Sequence, residues 1–147
     1  MAPVKLLPYD ILPHGKGLQF LTNTGTMRDG WLEFIVRFSQ ELSVVDAQGL
    51  IDPEVGLELM AQACGMLLLQ GEPGAAASPR LGVIAAVRGY EYAVQAFAVG
   101  ESVRVRVKSD LVDASVVVCE GELFSDMIDT RCQHARITLV IKEGELL

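Results

Sequence analysis

The chain is poor in the residues that most often carry chemistry. Its 147 residues include two histidines, His14 and His134, and three cysteines, Cys64, Cys119 and Cys132. The cysteines are isolated, with no CxxC pair and no Cys/His spacing, so the usual zinc-ligand patterns are excluded. They read as small hydrophobes of a reducing compartment. Basic runs are absent: 12 Lys and Arg face 19 Asp and Glu, for a formal net charge of −7. That balance argues against nucleic acid and against anionic membrane surfaces. No uncharged apolar run reaches the roughly 20 residues of a membrane span. Pro3, Pro8 and Pro13 interrupt the N-terminal stretch where a signal peptide would need its apolar segment. The expectation is a soluble cytoplasmic protein, with no bound metal and no nucleic-acid or membrane partner.

What the chain does have is hydrophobicity. Half its residues are hydrophobic, enough for one domain over residues 1–147 with a substantial core. The segment Glu54 to Gln70 organises the rest. Leu, Met, Ala, Gln and Glu dominate it, and all favour helix. Asp52 and Pro53 provide a start signal, and Gly71 and Pro73 a stop. Between Val55 and Leu69 only Glu58 and Gln62 are polar. A helix this apolar is expected to be buried within the protein. Glu58 and Gln62 lie four residues apart and share a face. A carboxyl on an otherwise dry helix is costly unless it is paired, protonated or used.

Strand patterns surround this helix. Leu18 to Thr24 is a candidate first strand. Trp31 to Phe38 alternates, with Leu32, Phe34, Val36 and Phe38 on one face, and Asp29-Gly30 before it is a hairpin-turn signal. Ser39 to Pro53 lacks clear periodicity and is a candidate functional loop. Gly71 to Pro79 reads as a linker. Arg80 to Tyr90 is apolar on both faces, which suits a central strand or one at a subunit interface. Ser102 to Ser109 sets Val103, Val105 and Val107 against Arg104, Arg106 and Lys108. Ala114 to Phe124 follows a turn containing Asp110 and Asp113, with Val117, Cys119 and Leu123 inward and Glu120 and Glu122 outward. Those acids are expected opposite the basic stripe. Gln133 to Lys142 turns Ala135, Ile137, Leu139 and Ile141 inward and His134 outward to solvent. An α+β architecture follows, a curled antiparallel sheet wrapped around one long central helix. Its edge needs covering, which implies a dimer.

This order resembles that of the hotdog-fold 3-hydroxyacyl-carrier-protein dehydratases. Leu12-Pro13-His14 looks like the family's LPH segment, Glu58-Leu-Met-Ala-Gln62-Ala63 like its EAMAQA helix, and Ala98-Val99-Gly100-Glu101 like its VPGD turn. The helix followed by LGVIAAVRGYEY looks most like a divergent branch, the dehydratase-like proteins of aryl polyene and related pigment pathways. The resemblance implies a dimer, homodimeric or a hotdog heterodimer. It implies an acyl chain lying along the helix, and removal of water from a 3-hydroxyacyl thioester borne on the phosphopantetheine of an acyl-carrier protein. No other cofactor is implied. In the family a histidine takes a proton from C2, an acid on the central helix assists loss of the C3 hydroxyl, and helix N-terminal amides polarise the thioester carbonyl.

Carried over residue by residue, Glu58 matches the acid and Gln62 the glutamine that supports it. Gly56 lies near the helix start, where its amide is expected to face a carbonyl. The family's catalytic histidine sits in a GHFPG loop; here the corresponding stretch is SVVDAQGLIDP, without histidine. His14 matches the family's other histidine and is the candidate base. Asp46 is a candidate replacement group in that loop, and Asp52 reads as the helix cap. Arg80, Arg88, Arg104, Arg106 and Lys108 are candidates for docking an acidic carrier. Three functions stay open: a dehydratase using Glu58 and His14, a catalytically impaired subunit that binds carrier protein or pairs with an active dehydratase, and an acyl thioesterase of the same fold.

Overall fold

A computed structural model of the chain describes residue 21 and residues 25–69, 80–93, 96–113, 115–125 and 130–143 (backbone alone at 68–69, 80–83 and 141–143). The expected strand at Leu18 to Thr24 (Leu21 apart), the Gly71 to Pro79 linker, the LPH segment with His14, and the side chains of Arg80 and Ile141 lie outside the described residues. In chain order come β1 (Thr26–Arg28), β2 (Trp31–Arg37), β3 (Leu50–Ile51), α1 (Val55–Leu69), β4 (Arg80–Tyr92), β5 (Phe97–Ala98), β6 (Ser102–Asp113), β7 (Val116–Ser125) and β8 (Arg131–Glu143). Six strands form one antiparallel sheet in the order β1-β2-β6-β7-β8-β4. β3 and β5 pair separately.

The alternation patterns decide the layering. Leu32, Phe34 and Val36 of β2, Val103, Val105 and Val107 of β6, Val117, Cys119 and Leu123 of β7, and Ala135, Ile137 and Leu139 of β8 all turn inward and are buried. α1 lies across this face, chiefly on β6 and β7. It approaches closely at Gly121: a side chain there would meet the Met60 Sδ at 2.6 Å and its Cγ at 2.9 Å. The Asp29-Gly30 turn joins β1 and β2 with both residues at positive φ, 53° and 84°, as a two-residue hairpin requires.

Four expectations change. The stretch after β2 is not featureless, because β3 lies within it and holds β5. Val99 N also donates to Gly49 O at 3.0 Å, and Gly100 N to Phe38 O at 2.8 Å. β6 runs four residues past Ser109, since its ladder with β7 resumes beyond an irregularity between Ser109 and Leu111. Asp110 therefore sits in the strand, not in a turn. β4 is an edge strand within this chain and pairs only with β8, which removes the central-strand alternative and leaves the interface one. The helix is not buried all round. Leu59, Met60, Ala63, Cys64 and Met66 are fully covered, while Leu57, Glu58, Ala61 and Gly65 form a half-buried stripe. The sheet covers one side of α1 and leaves the side bearing Glu58 partly open. Among the described residues no helix is long and apolar enough to cross a membrane.

Candidate active site

The first turn of α1 is closed on itself. Asp52 acts as the cap: its Oδ1 accepts from Glu54 N at 2.9 Å. Val55 N donates to Asp52 O at 3.1 Å, Gly56 N to Pro53 O at 3.0 Å, and Leu57 N to Glu54 O at 3.0 Å. Pro53 has no N–H to offer. The amides of residues 54–57 are thus all engaged within the turn, including that of Gly56, expected at a substrate carbonyl. Gly56 also allows close packing, because a Cβ at this position would run into the side-chain amide of Gln133.

One turn further on, Gln62 Nε2 donates to Glu58 Oε1 at 3.3 Å, while Gln62 Oε1 accepts from Leu21 N at 3.5 Å. The two partners orient the amide, since a carboxylate only accepts and an N–H only donates. Gln62 is 1% exposed and Glu58 half-buried. The structure thus joins two of the expected site residues at the i, i+4 spacing of one helix face.

The expected base is not among the described residues, where His134 is the one histidine. It stands on the outer face of β8 with Nε2 3.1 Å from Glu120 Oε1, a quarter exposed and paired rather than simply solvated. Asp46 organises its loop: Oδ1 accepts from Gln48 N at 2.8 Å and from Leu50 N at 2.9 Å. That makes it a turn-forming side chain. All three cysteines are buried thiols. Burial pushes Cys64 up, as does the adjoining Cys119 thiol, and burial also raises Cys132. Cys64 and Cys132 are therefore poor nucleophiles. Among the described residues no cluster suits a metal ion.

Two site-forming residues were not singled out from the sequence. Gln133 Nε2 donates to Pro53 O at 2.7 Å, and Tyr90 Oη lies 3.2 Å from that carbonyl and 3.4 Å from Gln133 Oε1. Gln133 is 1% exposed. Strand parity held the clue, for Gln133 shares its face with Ala135, Ile137 and Leu139. A lone amide on such a face must find partners. Burial, and after it the charge of Glu54, push the Tyr90 phenol up to about 12, so it stays a donor. A cavity of about 240 Å³ opens beside this cluster, with Gln133, Tyr92, Arg131 and His134 in its wall.

On the outer face the candidate docking cations meet groups of their own sheet. Arg106 bonds Glu122 at 2.7 Å, Lys108 lies 3.8 Å from Glu120, and Arg104 is 4.0 Å from Glu33. Arg106 and Lys108 lie over Trp31, and Arg104 over Phe124. The basic stripe is thus engaged by its own sheet. Arg88 is exposed, on edge strand β4.

Comparison with known proteins agrees with this architecture. Residues 7–145 match the ApeP-like family, described as ApeP dehydratase. Among curated proteins none matches in sequence. Among solved structures, the chain is similar to one from the dehydratase heterocomplex ApeI:P of Xenorhabdus doucetiae, with a TM-score of 0.75 and 21% identity over 94% of this chain and 92% of that one. It is also similar to a hypothetical thioesterase with coenzyme A from Streptococcus pneumoniae (TM-score 0.56, 13% identity, 82% and 85% covered) and to zebra fish thioesterase superfamily member 2 (0.57, 14%, 80% and 78%). These likenesses establish the hotdog fold. With its family match spanning nearly the whole sequence, the chain belongs to the ApeP-like dehydratases.

Proposed function

We propose that this chain acts within a hotdog dimer that removes water from a 3-hydroxyacyl thioester carried on the phosphopantetheine of an acyl-carrier protein, in fatty-acid or polyene-type biosynthesis. Glu58 is the acid. The observation that carries this reading is the Glu58–Gln62 pair on the half-buried stripe of α1. A neutral amide supports the carboxyl, and Leu57, Ala61 and Gly65 beside it give an apolar, low-relief track that suits an acyl chain.

In the reaction a base removes a proton from C2, the C3–O bond breaks, and the departing hydroxyl takes a proton from Glu58 to leave as water. The two electrons of the C2–H bond become the new C2–C3 double bond. His14 is this chain's candidate base. The engaged first-turn amides of α1 favour a division of labour in which a second hotdog subunit, paired along β4, polarises the thioester carbonyl. The dehydratase heterocomplex among the similar structures supports pairing with a different subunit.

The test is dehydration of a 3-hydroxyacyl-carrier substrate by the chain alone and together with its pairing subunit. Glu58→Gln should lower kcat by about 10²–10⁴, the usual worth of an acid–base group. Turnover by the chain alone that His14→Ala removes assigns the base to His14. Turnover that needs the second subunit and survives His14→Ala assigns it to the partner. Unchanged turnover in Glu58→Gln, or release of free acid in place of the unsaturated thioester, overturns the reading.

A further inference from the structure

Gln133 and Tyr90 converge on the carbonyl of Pro53. Pro53 O accepts from Gly56 N at 3.0 Å and from Gln133 Nε2 at 2.7 Å, which uses both its lone pairs. Tyr90 Oη, 3.2 Å from the same oxygen, has a second acceptor in Gln133 Oε1 at 3.4 Å. With the phenol donating to Gln133 Oε1, the Pro53 oxygen, the phenol and both ends of the Gln133 amide each have a partner. Three elements meet here. Gln133 stands on β8, between β7 and β4. Tyr90 stands on the edge strand, beside Gly89 at φ 59° and within the irregularity between Arg88 and Glu91. Pro53 begins the turn that starts α1. Gly56 gives the Gln133 amide the room to come this close.

We propose that Gln133 and Tyr90 are positioning residues. Together they bracket the start of α1 to the β8–β4 edge, and so set where Glu58, one helical turn past Glu54, presents its carboxyl. The assignment of a catalytic purpose to the bracket rests on the reading of Glu58 given above. The bracket also gives the edge strand a route to the site. Tyr92, 54% exposed on β4, packs its ring 5.2 Å from that of Tyr90. Whatever lies along β4 therefore meets this aromatic pair, and through it the first turn of α1.

The experiment uses the full chain and its Gln133→Glu variant, which keeps the side chain's shape. Ionised, the new carboxylate cannot donate to Pro53 O and repels it; protonated, it donates again. Amide hydrogen exchange of residues 55–57 should accelerate by about tenfold in Gln133→Glu above the carboxylate titration range, the effect of one lost hydrogen bond. Protection in the middle of α1 should be unchanged, and protection of 55–57 should return as pH falls through the carboxyl's titration. Tyr90→Phe should accelerate the same amides by about threefold, since Gln133 keeps its bond to Pro53. Unchanged protection at 55–57, or a loss spread evenly along α1, overturns the bracket. In the assembled dehydratase, Gln133→Glu should lower kcat by about tenfold with KM held, because misplacing an acid removes transition-state alignment and leaves substrate binding intact. If Glu58→Gln abolishes turnover while Gln133→Glu leaves kcat unchanged, the positioning role is overturned and the reading of Glu58 stands. If Glu58→Gln turns over normally, the reading of Glu58 falls and the catalytic purpose falls with it, whatever the exchange data show.

Discussion

Two glutamates, one on the outer face of the sheet and one on the helix that covers its inner face, are held in different ways. Glu122 lies on the outer face yet is 7% exposed, covered by its neighbours. Arg106 reaches its Oε1 at 2.7 Å and Arg131 its Oε2 at 3.2 Å. Burial alone would raise its pKa, but the hydrogen bonds and charges of the two guanidiniums outweigh burial and hold the carboxyl below its ordinary 4.5. A carboxylate fixed as an anion cannot deliver a proton. Glu58, on the inner side, accepts from the neutral amide of Gln62. That bond serves a protonated and an ionised carboxyl alike, because both keep an accepting oxygen. Two guanidiniums fix Glu122 as an anion that braces the sheet, and Glu58 shares its helix face with an amide that can turn with it.

The contrast is broken most easily at its largest effect. Glu58→Gln should cost about 10²–10⁴ in kcat in the assembled dehydratase and move Tm little. Glu122→Gln should do the reverse, leaving kcat near wild type while lowering stability. A bond to a charged group contributes about 1.5–3 kcal/mol. Arg106 and Arg131 are 29% and 49% exposed, so solvent takes part of that, and the loss expected is about 1–2 kcal/mol. Denaturant melts of the two variants check this, and equal losses of activity would erase the distinction.

The same pair predicts a pH dependence. Since the folded pKa of Glu122 is lowered, its contribution is fully present above the unfolded value and lost as pH falls through the folded one. The stability gap between wild type and Glu122→Gln should therefore be full at neutral pH and shrink as pH drops below 4.5. A gap that widened on acidification would mean that the guanidiniums do not govern this carboxyl.

The inner face of the sheet was legible in the sequence for the reason it is dry. Period-two alternation has one solution when one face is buried, and the expected inward residues of β2, β6, β7 and β8 that the structure describes are buried. The helix was legible from Asp52 and Pro53 and from its own greasiness, and Glu58 with Gln62 from i, i+4 spacing. Two-residue strands such as β3 and β5 carry no period, so they were invisible. β4 misled by being apolar on both faces. Sequence records that a face avoids water, not whether its own sheet or another subunit covers it. Gln133 passed unnoticed because its partners, Pro53 and Tyr90, lie 80 and 43 residues away. The closure of the α1 first turn depends on turn geometry, which a cap motif permits but does not dictate.

The two faces should also differ in tolerance to added bulk. At Gly121, inner face, one methyl would press on Met60, whose Sδ is 2.6 Å from the position it would occupy. Gly121→Ala should cost about 1–3 kcal/mol, as overpacking of a filled core does. At about 2–4 °C per kcal/mol for a chain of this size, the loss is readable in a melt. A Tm at or above wild type would show that Met60 swings aside and that α1 is less closely seated on the sheet than the geometry implies.

The smallest effect tests whether burial grades the outer face itself. Lys108 sits on the same strand as Arg106, two residues on, and also lies over Trp31, with Nζ 4.8 Å from the ring centre. Its carboxylate partner, Glu120, is 3.8 Å away, and the two side chains are 41% and 31% exposed. Water competes for both ends of this pair, and holding a lysine in place costs side-chain entropy. Lys108→Ala should therefore cost no more than about 0.5–1 kcal/mol, and added salt should shrink the difference. The Arg106–Glu122 bond, closed over by Phe124 and Trp31, should be much less sensitive to salt. If Lys108→Ala were as damaging as Glu122→Gln and equally indifferent to salt, the outer face would be one cooperative network, and the contrast between a braced acid and a working one would have to rest on Glu58 alone.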